Sequence, residues 1–355
     1  MEVEEILAQA MGHGASDILL IAGMPVAYKC NGVILREETD RLLPETSYKL
    51  IESIYKLAGD RSMDTLLELG DDDFSFSLPQ LSRFRVNTFR QRGSLAAVIR
   101  IVSFDMPSHE KLGIPGTVMN FANFTKGMVL VTGPAGSGKS TTLACLIDAI
   151  NHERSDHIIT IEDPIEFLHR HDKSVVSQRE LSSDTSSYEA ALRAVLRQAP
   201  DVILLGEMRD YETIKTAITA AETGHLLIST LHTTGAANTV DRIIDSFPPA
   251  QQQQIRIQLS MVLQGVVSQQ LVPLIGGGVI PAFEIMVANN AIRNLIRESK
   301  AHQIDSVIFS SAAEGMISMD SYLFNLVKEG KITDETAIAF SANSDQLTRR
   351  LQAGR

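Results

Sequence analysis

The sequence has few cysteines and no long apolar run, and both features limit what kind of protein it is. Only Cys30 and Cys145 occur among the 355 residues, too few for a disulfide framework or a cysteine-rich metal cluster. Such sparse cysteine suits a reducing compartment. No apolar run approaches the roughly 18 residues of a membrane-spanning helix, and residues 1–5 lack the basic head of a signal peptide. We therefore expect a cytoplasmic protein that reaches a membrane only through partners.

Positive charge is also in short supply. The chain has 32 lysines and arginines against 43 aspartates and glutamates, a formal net charge of −11. A broadly basic surface that grips a phosphate backbone is therefore disfavoured, and we expect no nucleic acid among the partners. The hydrophobic content of 44% is ordinary for a globular protein, and the length allows two domains.

The sequence contains a complete phosphate-binding loop, GPAGSGKS, at Gly133–Ser140. It lies between a short β-branched run, Met128–Thr132, and an apolar helical pattern, which is the context that such a loop requires. The glycines let successive backbone N–H groups point inward at an anion, the lysine reaches the β- and γ-phosphates, and the serine hydroxyl ligates Mg²⁺. The predicted nucleotide-binding residues are Gly133, Pro134, Ala135, Gly136, Ser137, Gly138, Lys139, Ser140 and Thr141, with Ser140 also a metal ligand.

Polar side chains follow the other predicted strands of the same sheet. Glu162 and Glu207 each follow an apolar strand, and His232 follows another. Because ligands bind beyond the carboxyl ends of the strands in open α/β sheets, these three side chains should converge on the nucleotide. One carboxylate can hold a metal-bound water, and a second can activate the attacking water. His225 is ambiguous, either a charge at a helix C-terminus or a γ-phosphate sensor.

Four arginines are candidates for contacting phosphate. Arg193 and Arg197 are spaced i, i+4 on a predicted helix that opens at Ser186–Glu189, and Arg85 and Arg100 lie on neighbouring predicted strands. Either these residues are solvated or salt-bridged, or they are supplied to a neighbouring subunit's nucleotide, where an arginine strongly assists phosphoryl transfer.

The chain divides by pattern into three parts. Residues 1–105 read as a small α+β domain, with Asn31-Gly32 as a two-residue hairpin turn. Residues 106–118, rich in proline and glycine, are the predicted interdomain linker. Strands and helices alternate through 119–355, which predicts a parallel sheet covered by helices on both faces. From about residue 249 to the end the pattern predicts mainly helices, with Gly276–Gly278 as a loop.

These segments together resemble the secretion and type IV pilus ATPases, and among them the retraction motors of the PilT type. The phosphate-binding loop matches the family's Walker A sequence, and three further segments match its Asp box, its atypical Walker B sequence and its His box, namely Ile161–Glu166, Leu205–Asp210 and Gly224–Thr233. The segment Gln258–Gly265 is similar to the family's C-terminal helix. Ala291–Glu298 resembles the motif particular to the PilT type, which is needed for retraction.

The resemblance implies a PAS-like N-terminal domain, a RecA-like ATPase core and a helical tail. It also implies a homohexameric ring that binds ATP and Mg²⁺ between subunits and acts on an inner-membrane pilus platform protein. Under the resemblance Glu162 is the catalytic acid, Glu207 organises Mg²⁺, and His225 or His232 senses the nucleotide state. Arg85, Arg100, Arg193 and Arg197 fall in segments like those that supply the family's phosphate-contacting arginines.

Three other functions remain open. A pilus-extension or type II secretion ATPase of the same superfamily is disfavoured because those proteins usually carry a four-cysteine zinc motif and a longer N-terminal region. A hexameric helicase is disfavoured by the net charge. A nucleotide-sensing scaffold with negligible turnover requires an ATPase assay to distinguish it from a motor.

Overall fold

The structure, a computed structural model, describes residues 2–30, 32–79, 81–102, 104 and 106–353. It divides into two units, one of residues 1–105 with 165–168, the other of residues 106–164 with 169–355. The division falls directly before the expected linker, residues 106–118, which groups with the second unit. Within the described residues, no helix is both long enough and apolar enough to cross a membrane.

The first unit is a six-stranded antiparallel sheet with helices. Its strands pair in the order β3-β2-β1-β6-β5-β4. Alternate residues of β5, among them Phe84 and Val86, are buried in one core with Ile6 and Ile51 of the helices. The expected α+β character is confirmed, although β1 was not predicted as a strand. The elements are α1 (Val3–Gly12), β1 (Asp17–Leu20), β2 (Ala27–Cys30), β3 (Val33–Arg36), α2 (Pro44–Leu57), α3 (Asp64–Leu69), β4 (Asp71–Leu78), β5 (Ser82–Gln91) and β6 (Ser94–Val102).

The hairpin predicted at residues 31 and 32 is only partly described. Cys30 pairs with Val33 in antiparallel register, as a two-residue connection requires. Gly32 has a φ of 81°, a value that favours glycine, and Asn31 lies outside the described residues.

The second unit alternates strands and helices around a seven-stranded sheet. Its elements are α4 (Gly116–Met119), β7 (Gly127–Thr132), α5 (Lys139–Glu153), β8 (His157–Glu162), β9 (Val175–Glu180), α6 (Tyr188–Val195), β10 (Val202–Leu205), α7 (Tyr211–Glu222), β11 (Leu226–Leu231), α8 (Ala236–Asp245), α9 (Pro249–Val262), β12 (Leu263–Pro273), β13 (Val279–Val287), α10 (Asn290–Arg297), α11 (Ile304–Ser310), α12 (Met319–Lys328), α13 (Asp334–Phe340) and α14 (Ser344–Ala353).

The strand order of the second sheet is β13-β12-β7-β11-β10-β8-β9. All neighbours are parallel except β12 and β13, which form an antiparallel hairpin at one edge. The strands expected to be parallel, β7, β8, β10 and β11, are parallel, and the β12-β13 hairpin at the edge makes the sheet mixed. The edge strand β9 was also missed, because only two of its six residues, Val175 and Val176, are apolar or β-branched.

Helices cover both faces of this sheet, as predicted. Val129 and Val131 of β7 pack into one core with Leu146 of α5, whereas Met128 and Leu130 pack into another with residues of α6 to α11. Burial on both faces explains why these strands read as continuous apolar runs instead of alternating patterns.

The expectation of a mainly helical region after residue 249 is wrong for residues 263–287. These residues form β12 and β13, with the predicted glycine loop at their connection. The segment Gln258–Gly265, matched to a family helix, is helical only to Val262 and then enters β12. Propensity did not reveal this, since a fully buried apolar run can be either a strand or a helix.

Candidate functional site

The phosphate-binding loop connects the carboxyl end of β7 to the N-terminus of α5. Gly133, Gly136 and Gly138 have φ values of 140°, 75° and 85°, a region of backbone space that side chains with a Cβ rarely adopt. Pro134, Ala135 and Gly136 are exposed, so the crest of the loop is open to a ligand. The helix begins at Lys139, and its N-terminal N–H groups and dipole favour an anion at this point.

The loop has polar groups that a phosphate ester and its metal can use. Lys139 Nζ donates hydrogen bonds to the carbonyl oxygens of Gly133 and Pro134, each at 2.9 Å, so the ammonium charge lies against the loop. The Ser137 hydroxyl is buried without a hydrogen-bond partner, a state that costs free energy unless a ligand relieves it. Ser140 and Thr141 are half-buried on the first turn of α5. These residues fit a nucleotide phosphate with Mg²⁺.

Glu207 and His232 meet at the same edge of the sheet. His232 Nε2 lies 3.2 Å from one carboxylate oxygen of Glu207, and Arg209 forms a salt bridge with the other oxygen. The Glu207 side chain is 11% exposed and the His232 side chain 58%. The ends of β10 and β11 are fastened together, since Thr230 Oγ1 donates to the Gly206 carbonyl at 2.6 Å. Asp210, which follows this motif, is the N-cap of α7.

Glu162 is the last residue of β8, and two side chains donate hydrogen bonds to it. Thr160 Oγ1 donates to Glu162 Oε1 at 2.7 Å, and Gln178 Nε2 donates to the same oxygen at 3.3 Å. Hydrogen bonds of this kind orient a carboxylate. Gln178 lies on β9, the strand that the sequence pattern did not reveal.

Tyr188 is a further side chain among these acids that sequence reasoning missed. A Cβ on Gly206 would lie 2.8 Å from the Tyr188 hydroxyl, so the absence of a side chain at position 206 leaves room for this phenol. Burial, together with the nearby charges of Glu207 and Asp163, raises the pKa of the Tyr188 phenol well above its ordinary value. The phenol therefore stays protonated and can act as a hydrogen-bond donor at this edge. An aromatic residue at the start of a helix gave no signal of this role.

His225 does not join the other predicted residues at this edge. In the parallel pairing of β7 and β11, Leu226 lies opposite Gly127, and Leu231 lies opposite Thr132. His225 precedes β11, so it lies at the edge remote from its own loop, about 20 Å away at the strand rise per residue. Its Nδ1 lies 3.0 Å from the Ala220 carbonyl, at the end of α7, which agrees with the helix-terminus alternative.

The two arginines near α6 differ from the prediction. The predicted common helical face is wrong, because α6 ends at Val195 and Arg197 lies beyond it. The helix is capped by Ser187, whose hydroxyl accepts from the Ala190 N–H. Arg193 forms a salt bridge with Glu189 at 2.5 Å. The residue after Arg197, Gln198, has its carbonyl 3.0 Å from His157 Nδ1 at the start of β8, so Arg197 is also at the remote edge.

Arg85 and Arg100 face each other directly on β5 and β6 of the first unit. Like charges in this register repel one another. Arg100 is compensated by Asp17, whose Oδ1 lies 2.9 Å from Arg100 Nε. Arg85 is half-buried and has no charged partner within the part of the chain that the structure describes. An arginine pair in this arrangement suits an anionic ligand.

The chain is similar to known proteins over most of its length. The family described as Type II/IV secretion system protein matches residues 2–310. The chain is 45% identical over 338 residues to the type IV pilus retraction ATPase PilT of Pseudomonas aeruginosa, covering 95% of this chain and 97% of that protein. It is 51% identical over 277 residues to a twitching motility protein of Neisseria gonorrhoeae, covering 78% and 74% of the two chains.

A solved structure is similar over the same extent. The crystal structure of the pilus retraction motor PilT with bound ADP matches with a TM-score of 0.89 and 48% identity, covering 98% of this chain and 99% of that one. The family match spans most of both units, and the phosphate-binding loop and the acidic strand ends lie within it. The chain therefore belongs to the Type II/IV secretion system protein family.

Proposed function

We propose that this protein is an ATP-hydrolysing motor that powers the retraction of type IV pili. The observation that carries the proposal is the similarity to PilT of Pseudomonas aeruginosa, which extends over 95% of the chain instead of the nucleotide-binding core alone. The segment Ala291–Glu298, which resembles the motif of retraction motors, lies on the well-formed helix α10 with Ile292 and Ile296 fully buried.

Nucleotide binding rests on the loop and the first turn of α5. Backbone N–H groups of the loop after Pro134, with the Lys139 ammonium, bind the β- and γ-phosphates of ATP, and Thr141 adds a hydroxyl. Mg²⁺ would be held by the Ser140 hydroxyl and the phosphates, with Glu207 supporting it through bound water. When bound, the metal would supply positive charge that offsets the negative charge of the phosphate oxygens.

Glu162 acts as the general base in this proposal. Its carboxylate accepts a proton from water while the water oxygen bonds to the γ-phosphorus and the bond to the bridging oxygen of ADP breaks. Thr160 and Gln178 hold the carboxylate in one orientation. His232 senses the nucleotide state through its contact with Glu207.

We infer that the functional assembly is a homohexamer in which one subunit completes the site of the next. Within one chain, Lys139 is the cation of the loop that binds phosphate. An additional arginine from a neighbouring subunit strongly accelerates phosphoryl transfer. Arg85 and Arg100 are the leading candidates because they face each other in register, and Arg193 and Arg197 are further candidates. His225 and Arg197 lie at the remote edge of their own sheet, so neither contacts the loop of its own chain in this proposal.

The motor would act at the inner face of the cell membrane through a pilus platform protein. An extension or secretion ATPase is the alternative within the superfamily, and the two cysteines of this chain cannot form the four-cysteine zinc motif of those proteins. A scaffold that senses nucleotide without turnover is the alternative from another class.

Deletion of the gene, followed by complementation, tests the proposal. We expect cells that carry surface pili but cannot retract them, with retraction restored by the natural protein and not by the Glu162→Gln variant. Loss of surface pili on deletion would instead indicate an extension motor. Absence of steady-state ATP hydrolysis by the purified assembly would support the scaffold.

A further inference from the structure

The side chain of Gln269 fastens the phosphate-binding loop to strand β12. Gln269 Nε2 donates to the Ser137 carbonyl at 2.7 Å, and Gln269 Oε1 accepts from Thr142 Oγ1 at 2.7 Å. Gln269 is 2% exposed and Thr142 is fully buried, so water cannot replace these hydrogen bonds. One amide thus holds both the end of the loop and the first turn of the helix that follows it.

The backbone of the loop also lies very close to Gln269. A Cβ on Gly133 would lie 2.1 Å from the Gln269 carbonyl oxygen, and a Cβ on Gly138 would lie 2.9 Å from Gln269 Nε2. Both glycines are therefore required for close approach to β12 as well as for their positive φ values. The loop packs on β12 at its beginning and at its end.

The N-terminal end of β12, five residues before Gln269, is fastened to helix α10. Gln264 occupies an irregularity in the pairing of β12 with β7, and its Oε1 accepts from Arg293 Nη2 at 3.0 Å. Arg293 Nη1 also donates to the carbonyls of Ser260 at 2.6 Å and Met261 at 3.0 Å, near the end of α9. A planar guanidinium bonded to three oxygens fixes α10 firmly against this junction.

Gln264 also connects this junction to the start of the strand that carries the loop. Its Nε2 donates to the Lys126 carbonyl at 3.0 Å, immediately before β7. A Cβ on Gly127 would lie 2.6 Å from the same Nε2 atom, so this contact too requires glycine. Between Gln264 and Gln269, β12 is hydrogen-bonded on both sides, by β7 and β13.

We propose that Gln269 is a positioning residue for the phosphate-binding loop and that β12, fastened to Arg293 at its other end, makes the affinity of the loop for nucleotide depend on α10. The two fastening points are five residues apart, about 17 Å along an extended strand. A strand paired on both sides transmits a displacement along its length because it cannot bend freely. This inference rests on the proposed function, since it takes the loop to be a nucleotide site.

Binding of a fluorescent ADP analogue to the purified full-length protein tests the first part. Gln269→Met preserves volume and removes both hydrogen bonds, and we expect the Kd to rise about tenfold, since two buried groups lose their partner. Thr142→Val removes only one of the bonds and should have a smaller effect in the same direction. Gln270→Ala is the matched control, because Gln270 contacts the Phe340 carbonyl instead and should leave the Kd unchanged.

A double-mutant cycle tests the second part. Arg293→Met should raise the Kd about threefold in the natural background, within the range of coupling energies between separate sites. In the Gln269→Met background it should have no further effect, because the connection is already broken. Arg293→Lys, which keeps one donor to the α9 carbonyls, should restore part of the affinity. A merely structural role would lower the thermal stability of these variants and leave the ADP affinity of the folded protein intact.

The outcomes separate this inference from the proposed function. No ADP binding by the natural protein would overturn the nucleotide site itself. Normal binding by the natural protein and equally by Gln269→Met would overturn the positioning role alone. Additive effects of the two substitutions would show that Arg293 does not act through β12.

Discussion

His232 Nε2 lies 3.2 Å from a carboxylate oxygen of Glu207, although the two residues are 25 positions apart in the chain. Each follows a different strand, and the parallel register of β10 and β11 brings the two strand ends together. Arg209 holds the other oxygen of the same carboxylate. Glu207 is thus oriented from two sides before any ligand binds.

We expect His232→Ala to lower the rate of ATP hydrolysis about tenfold to a hundredfold, as loss of a partner that orients a metal-supporting carboxylate does. Steady-state phosphate release measures the effect. His225→Ala is the comparison variant, because His225 lies at the remote edge of the same strand. Equal losses from both substitutions would contradict the role assigned to the contact with Glu207.

Glu162→Gln should retain ATP binding and lose about 10²–10⁴ in turnover, the usual contribution of a general base. The amide keeps the shape of the side chain but accepts no proton. Single-turnover hydrolysis and equilibrium binding separate the two effects. Glu153→Gln, an exposed position at the end of α5, serves as control. Near-normal hydrolysis by Glu162→Gln would exclude this residue as the base.

Lys139→Ala should weaken ATP binding itself, because the ammonium held against the loop carbonyls is the loop's principal positive charge. Equilibrium titration with ATP and Mg²⁺ measures the affinity. Lys111→Ala removes an exposed lysine elsewhere in the same unit and should have no effect. An unchanged affinity in Lys139→Ala would contradict the assignment of the loop.

The Cys145 thiol should be unreactive in the folded protein. Burial, with smaller contributions from Asp148 and Glu110, raises its pKa to about 11. Relative to an ordinary cysteine, the reactive thiolate is then about a hundredfold rarer at neutral pH and increases as the pH rises towards that pKa. Alkylation of a Cys30→Ser variant, followed by mass spectrometry, measures the rate. Unfolded protein provides the reference, and an equal rate in the folded protein would refute the prediction.

Mixing two inactive variants tests whether arginine acts between subunits. Glu162→Gln and Arg85→Ala each inactivate the site to which they belong. If Arg85 serves the neighbouring chain, equal mixing should leave about a quarter of the sites with both groups intact and restore hydrolysis accordingly. The same mixture prepared with Arg100→Ala tests the second candidate. Activity that stays at the level of the separate variants would indicate that the arginine acts within its own chain, and an Arg85→Ala variant that is active alone would show that Arg85 serves no nucleotide site.

The sequence by itself determined the parts of the site that depend on local conformation. The glycines, lysine and serine of the phosphate-binding loop lie between a strand and a helix, as their pattern predicted, because positive φ values and helix capping are properties of neighbouring residues. Glu162, Glu207 and His232 were also placed at the ends of strands from the sequence, because the point at which an apolar run stops is a local feature.

Only the tertiary structure decided which of these local parts meet. The order of strands places β11 between β7 and β10, so that His232 contacts Glu207 while His225 is left at the remote edge. The mixed polar and apolar pattern of residues 263–273 was compatible with a helix, and pairing with β7 and β13 makes this segment a strand. No pattern in the neighbouring sequence indicated the role of Gln269, because that role depends on a loop more than a hundred residues away. Hydrogen bonds between strands and loops far apart in sequence carry this information, and no short-range pattern encodes them.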